Sequence, residues 1–254
     1  MTKRLILLAV LLLGFTSTGG IVQFNASGGV DCATLEPETY LIEDDFEDGC
    51  DAEWDVFGGD YSCAYDVVSP TDLNMRGSYG LRIGDGTPPT ETWGRAGITG
   101  DATGSASLEV AFLFHVTQHS GAAASYIMSF YGQDDSQDCF LLWNYDAGAN
   151  FTVSPTGGDS VGTGAVYDAD TTYKVKVKYT AATGGGGNAV CEVWIAAEDE
   201  TTSWGTVAAQ STNGTQTSLP DQFELDMRGS SYLNEMIFDN LKASYEDIPV
   251  CAID

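Results

Sequence analysis

The chain is poor in basic residues. It has 10 Lys and Arg against 37 Asp and Glu, and its formal net charge is -27. Because a surface of this sign repels phosphate, the charge argues against nucleic acid and against an anionic membrane surface as partners. Three explanations for the acid excess stay open: a high-salt habitat that screens self-repulsion, calcium binding by carboxylates, or maintenance of solubility.

Histidine is almost absent, with only His115 and His119. Two histidines give no clear acid–histidine–nucleophile set. No two cysteines have the close spacing of zinc ligands, which argues against a zinc cluster. No segment after Phe15 has a long hydrophobic period of 3.6 residues, so the mature chain is not predicted to be helical.

A hydrophobic run long enough to span a membrane is also missing. The apolar run at 5–15 is too short for that, and Lys3 and Arg4 precede it. This pattern is typical of a secretory signal peptide, for which we predict residues 1–19 and cleavage after Gly19. The alternative is an uncleaved anchor that extends to Phe24.

Export implies an oxidising compartment, and the six cysteines form an even number. We favour one set of pairs that links the termini, closes a short loop and joins two strands of one sheet or of facing sheets: Cys32–Cys251, Cys50–Cys63 and Cys139–Cys191. The alternative is that one or more cysteines stay buried and reduced.

Alternation of apolar and polar residues predicts strands, most clearly at 108–116 and 173–179. In the second segment Lys174, Lys176 and Lys178 share one face. We interpret this row as solvated, with a stripe that neutralises nearby carboxylates and a binding row for an acidic sugar as alternatives. Further strands are predicted at 80–83, 125–131, 138–145, 190–196, 222–227 and 235–244.

The mature chain is therefore predicted to be all-β. The domain plan is a signal peptide at 1–19, a polar leader at 20–39, a sandwich at 40–247 and a C-terminal tail at 248–254.

Several ordered segments resemble the concanavalin A-like lectin/glucanase superfamily, including laminin-G-like domains. They are 44–49 with Trp54, 77–83, 172–177, 190–194 and 238–242. The resemblance implies a jelly-roll β-sandwich of two antiparallel sheets, one of them concave. It also implies that carbohydrate binds on the concave face or at its rim, often with a structural calcium, and some members cleave polysaccharides.

Acidic residues stand at both ends of the predicted domain. If the first and last strands are neighbours, oxygen ligands for Ca²⁺ converge at their seam. The predicted ligands are Asp44, Asp45, Asp48, Asp239 and Asn240.

Glycosidases of the superfamily carry two glutamates that flank an aspartate on one strand. Glu224 and Asp226 fit the first two positions, but Arg228 and Gly229 occupy those of the second glutamate. We therefore interpret 222–227 as an ordinary strand with Phe223, Leu225 and Met227 inward, and Glu224 and Asp226 as weak catalytic candidates.

Sugar binding normally uses exposed aromatic rings beside polar groups. The candidates are Trp143, Tyr145, Trp194, Tyr131 and Trp93. The sequence thus predicts a secreted, non-catalytic carbohydrate-binding or adhesion module with a glycan as partner. The alternatives are a polysaccharide hydrolase or lyase of the same fold, and a structural component of a cell surface or particle.

Overall fold

A computed structural model shows two antiparallel β-sheets packed face to face. It describes residues 32, 35–37, 39–50, 54, 56–59, 61–67, 73, 75–84, 94–99, 105–116, 124–144, 150–183, 187–227 and 235–253. Regular structure in this part of the chain consists of strands and a 3₁₀ turn at Val250–Ala252. The predicted all-β jelly-roll sandwich is therefore confirmed.

The strands follow one another with turns and loops between them. They are β1 (Ile42–Asp44), β2 (Val56–Gly59), β3 (Tyr61–Asp66), β4 (Tyr79–Ile83), β5 (Gly94–Thr99), β6 (Ser107–Val116), β7 (Ala124–Gly132), β8 (Gln137–Asn144), β9 (Asn150–Pro155), β10 (Val161–Gly162), β11 (Tyr173–Thr180), β12 (Ala189–Ala197), β13 (Ala209–Gly214), β14 (Pro220–Met227) and β15 (Met236–Ser244). No helix in the described ranges is long and apolar enough to cross a membrane.

Sheet I has the strand order β13-β12-β11-β6-β15-β4-β3, with β1 added beside β15. Sheet II has the order β10-β9-β8-β7-β14-β5-β2. Strands that are neighbours in space are often distant in the chain, as in jelly-roll sandwiches.

The first and last strands are neighbours, as predicted. Ile42 lies opposite Ala243 and Asp44 opposite Leu241 in an antiparallel pair. The first half of β15 pairs with β4 on this same edge, so β1 and β4 share it. We call the contact of β1 with β15 the seam.

The core lies between the sheets and is rich in aromatic rings. Phe114 of sheet I packs against Trp143 and Phe151 of sheet II, with ring centroids 6.1 and 5.8 Å apart. The disulfide Cys139–Cys191 crosses the same core from β8 to β12. The other two disulfides are Cys32–Cys251 and Cys50–Cys63, so all three pairs favoured from the sequence are present.

The segment predicted as a C-terminal tail packs on the outer face of sheet I. We call residues 245–253 the strap. Its buried apolar side chains cover Ala111 and Leu113 of β6 together with Trp204, and they are Ile248, Val250, Ala252 and Ile253. Trp204 Nε1 donates to the Ile248 carbonyl at 2.7 Å. Residues 248–253 therefore pack on the sandwich, because the apolar side chains of the strap have a surface to bury.

Two lysines of the β11 row are buried and Lys178 is half-buried, which corrects the prediction of a solvated face. Lys174 and Lys176 are 0% and 3% exposed because the strap and the 198–204 loop cover them. Each ammonium group has a partner at hydrogen-bond distance: Lys174 the Glu200 carbonyl at 2.8 Å, Lys176 Asp247 Oδ1 at 2.7 Å, and Lys178 Glu109 Oε1 at 2.8 Å.

Candidate functional site

The candidate site is the outer face of sheet II, which points away from the core. Phe223 and Leu225 of β14 lie in the core as predicted, so alternation directs Glu224 and Asp226 outward. Both acidic side chains are nevertheless buried. Because β14 lies between β7 and β5, this acid pair sits well inside the sheet.

A bulge in β7 brings two tyrosines to this face. Strict alternation would place Tyr126 and Tyr131 on opposite faces of the sheet. The register shifts between Tyr126 and Met128, so Ile127 and Met128 both lie in the core. Tyr126 and Tyr131 therefore share the outer face, where each is half-buried.

Three apolar side chains form a small platform on this face. The ring of Phe140 in β8 packs beside that of Tyr126, with centroids 5.2 Å apart and planes tilted by 51°. Leu142 is the cross-strand partner of Tyr126 and extends the surface. We call Tyr126, Phe140 and Leu142 the platform. All three are half-buried, so part of each side chain is accessible to a ligand.

Hydrogen-bonding groups surround the platform. Gln137 Nε2 donates to Ser129 Oγ at 2.7 Å, and Gln222 Nε2 donates to Glu224 Oε1 at 3.3 Å. Ser129 lies in register between Phe140 and Glu224, so it connects the platform to the acid pair. The same face continues through uncharged polar residues, which are Asn144 at the end of β8 and Asn150, Thr152 and Ser154 of β9. We call this whole surface the polar face.

Glycine at position 97 permits the close packing of β5 against β14. A Cβ on Gly97 would lie 2.9 Å from Glu224 Cγ and 2.6 Å from the Phe223 carbonyl oxygen. A larger residue would force the Glu224 side chain or the strand to move. Gly97 therefore helps to hold Glu224 in its position on the polar face.

A second candidate is an open cavity of about 490 Å³ beside the seam, on the sheet I side. Its lining consists of acidic, basic and small residues and includes no aromatic ring: Glu36, Glu43, Asp45, Glu47, Arg76, Gly77, Asn240, Lys242, Cys251 and Ala252. Its basic groups already pair with acids, Lys242 with Glu43 at 2.6 Å and Arg76 with Glu198. The polar face is the stronger candidate for a sugar, because it combines rings with hydrogen-bonding groups.

The two buried carboxylates of the seam act as acceptors within the fold. Asp44 accepts the backbone N–H of Phe46 at 2.7 Å and the indole N–H of Trp54 at 2.6 Å. Asp239 accepts the backbone N–H of Arg76 at 2.6 Å. The bonds of Asp44 stay within the N-terminal part of the sandwich, and that of Asp239 joins β15 to the segment before β4.

Acidic side chains nevertheless approach one another at the seam. The pKa of Asp239 is raised to about 7. Burial is the main cause and the charges of Glu47 and Asp45 add to it, whereas the backbone N–H bonds that Asp239 accepts oppose it. Glu47 Oε1 accepts the backbone N–H of Tyr79 at 2.8 Å, so this carboxylate also has a structural partner.

The calcium site stays a prediction. Asp45 and Asp48 are exposed at the seam, whereas Asp44, Asp239 and Asn240 are buried there. Within the described ranges, no three acidic, histidine or cysteine side chains form a group that could hold a metal ion. The seam was thus predicted correctly as a strand contact, and the calcium itself is still to be tested.

The three predicted sugar-binding rings that the structure describes, Tyr131, Trp143 and Trp194, do not come together. Tyr131 lies on the polar face. Trp194 faces outward as predicted, but on sheet I, where the Lys176 ammonium lies 4.7 Å from its ring centre. Tyr145 and Trp93 lie outside the described residues.

The expectation of an exposed ring at Trp143 is corrected. Trp143 lies in the core at 1% exposure, and its ring centre is 5.0 Å from that of Phe151. It shares the inward parity of Leu141, so alternation along β8 directs it between the sheets. The same alternation is the signal that could have identified Phe140 as an outward ring. Tyr126 had no such signal, because the bulge reverses its side.

The sequence matches no protein-family profile and no curated protein. Among solved structures, it is similar to the endo-β-1,4-glucuronan lyase of the fungus Trichoderma reesei, at 13% identity and a TM-score of 0.52, over 84% of this chain and 99% of that one. It is also similar to the carbohydrate recognition domain of Emp46p, at 10% identity and a TM-score of 0.50, over 83% of this chain and 99% of that one. The likeness is one of fold. It is consistent with a lectin/glucanase-like sandwich.

Proposed function

We propose that the protein is a secreted, non-catalytic carbohydrate-binding or adhesion module that binds a glycan on the polar face. The observation that carries this proposal is the Tyr126–Phe140 ring pair, which shares a face with the half-buried amides of Gln137 and Gln222. Aromatic rings pack against the C–H faces of sugars, and amides and hydroxyls bind sugar hydroxyls. The polar face offers both kinds of contact side by side.

The solved structures of similar fold give further support. One is a lyase that acts on glucuronan, and the other is a carbohydrate recognition domain. A fold hosts many functions, so this support is weaker than that of the face itself. Three disulfides are typical of proteins in oxidising compartments, which supports secretion together with the apolar run at 5–15.

The test removes one ring of the platform. We expect Phe140→Ala to weaken the affinity for the bound glycan about tenfold, which corresponds to about 1.4 kcal/mol. A glycan array identifies the ligand, and titration calorimetry measures the affinity. The matched control is Tyr79→Ala, which removes an exposed ring from β4 of sheet I and should bind like the wild type. Equal affinities of Phe140→Ala and wild type would refute the proposed site.

A polysaccharide hydrolase or lyase is the second candidate. The observation that favours it is the acid pair, because Glu224 and Asp226 lie on the same face as the platform. Release of reducing ends or unsaturated products, abolished by Glu224→Gln, would replace the non-catalytic proposal. If no glycan binds at all, the structural role at a cell surface or particle becomes the better explanation.

A further inference from the structure

We propose that the glycan bound on the polar face is electrically neutral and is not a polyuronate or another polyanion. This inference rests on the proposed function, because it concerns the same face. It comes from the positions of the chain's few basic residues.

The polar face itself has little positive charge. Its two acidic residues are Glu224 and Asp226, and Arg95 of β5 is the residue in register with Asp226. The outward side chains along β7, β8 and β9 are amides, hydroxyls, aromatic rings and a leucine, which carry no charge at neutral pH.

The lysine row cannot serve as a binding row for an acidic sugar. It lies on the outer face of sheet I, on the opposite side of the sandwich from the polar face. The strap and the 198–204 loop cover Lys174 and Lys176, and Lys178 binds Glu109 at 2.8 Å. An acidic sugar would have to displace these partners before it could reach an ammonium group.

Most other cations also belong to the sheet I side. Three of them are held there by neighbours: Arg76 by Glu198, Lys242 by Glu43 at 2.6 Å, and Arg82 above the Tyr65 ring at 5.1 Å. Six of the eight basic residues after Arg4 are therefore committed away from the polar face. The other two are Arg95 and Arg228, and Arg228 lies outside the described residues.

A polyuronate carries a carboxylate on every sugar. Binding it requires cations that offset the loss of water from those carboxylates, and a protein of net charge -27 repels it before contact. A neutral glycan needs only ring packing and hydrogen bonds to hydroxyls, which the platform and the half-buried Gln137 and Gln222 provide. The charge distribution thus favours a neutral chain.

The experiment compares both classes of polysaccharide against the full protein. An array with neutral and uronate-containing glycans is followed by calorimetry with a neutral β-glucan, a mannan, alginate and polyglucuronate at low and high salt. We expect binding to neutral glycans only, with an affinity that salt leaves unchanged, because no ion pairs form. Phe140→Ala should weaken this binding, and Tyr79→Ala should not.

Two results would overturn the proposal in different ways. Binding of alginate or polyglucuronate that weakens as salt rises would refute neutrality while leaving the glycan site intact. Failure to bind either class would overturn the proposed function, and this inference with it.

Discussion

At the scale of single residues, Glu109 organises the buried charges under the strap. Its Oε1 accepts from Lys178 Nζ at 2.8 Å, and its Oε2 accepts the Ile248 backbone N–H at 3.0 Å and lies 3.4 Å from Lys176 Nζ. Burial lowers the pKa of Lys178, but the hydrogen bond and charge of Glu109 outweigh it, and the pKa is raised. Glu109 thus pairs with both ammonium groups and holds the strap, while Asp247 supplies the second negative charge, 2.7 Å from Lys176 Nζ.

Glu109→Gln should destabilise the protein strongly. The amide keeps the shape of the side chain but leaves the buried Lys176 ammonium without its full counter-charge, at a cost of about 3 kcal/mol. Urea unfolding measures the change in the free energy of unfolding. Glu246→Gln is the matched control, because Glu246 is an exposed acid of the strap. If both variants lose the same small amount of unfolding free energy, the buried charge network does not stabilise the fold more than an exposed acid does.

Asp138 is a buried acid at a second bulge, where the register of β7 and β8 shifts again. Its Oδ1 accepts the Ser136 hydroxyl at 2.9 Å. Burial raises the pKa of Asp138 to about 7; the Ser136 hydroxyl opposes this shift, and the charges of Asp134 and Asp221 add to it. The folded protein therefore binds a proton at Asp138 more tightly than the unfolded chain does.

The raised pKa of Asp138 makes the free energy of unfolding depend on pH. A raised carboxyl pKa contributes stability that is lost as pH rises from about 4 to about 7, because the folded state must then give up its proton. We expect Asp138→Asn to flatten the free energy of unfolding over this range by on the order of 2 kcal/mol. Urea unfolding at pH 4, 5.5, 7 and 8 tests it. The exposed Asp199→Asn should keep the wild-type slope, and an unchanged slope in Asp138→Asn would contradict the assignment.

At the scale of elements, the strap shows how packing changes the meaning of a sequence pattern. The alternation in β11 correctly directed its three lysines to the outer face of sheet I. Alternation alone gives no information about what covers that face. The strap and Trp204 cover it, so residues that looked solvated became a buried ion-pair network. That outcome depends on contacts between segments far apart in the chain.

Calcium binding at the seam can be tested through the thermal stability of the protein. If calcium binds there, addition of calcium raises the melting temperature and a chelator lowers it. The free energy of unfolding rises by about 2.7 kcal/mol when calcium is a hundredfold above its dissociation constant. Differential scanning calorimetry measures the shift. Asp45→Asn with Asp48→Asn should abolish the response, and Asp199→Asn should keep it. If a chelator leaves the melting temperature unchanged, the prediction that calcium stabilises this fold is wrong.

The bulges explain why the platform could not be predicted in full. Phe140 follows the alternation of β8, so the sequence contained its orientation. Tyr126 faces outward only because Ile127 is an extra residue in β7, and nothing in the local sequence marks that residue. A one-residue shift moves every later side chain to the other face, which is why pattern analysis fails at such a point.

At the scale of the whole molecule, the charges are distributed unevenly between the two sides of the sandwich. The cations on the sheet I side pair with acids that would otherwise repel one another, as Lys242 does with Glu43 and Lys176 with Asp247. The polar face of sheet II keeps its uncharged hydrogen-bonding groups. The proposed glycan site thus lies on the opposite side of the sandwich from the buried lysines and the strap.

The sequence by itself determined the all-β class, and it favoured the contact of the first and last strands and the three disulfides that the structure contains. Strand periodicity is a local signal, and an even number of cysteines is typical of a disulfide framework. The tertiary structure alone decided which outward residues stay accessible, since accessibility depends on what other segments cover. In the folded protein Trp143, Lys174 and Lys176 are buried, and Tyr126 lies beside Phe140. Those placements arise from long-range packing and register, which no local pattern encodes.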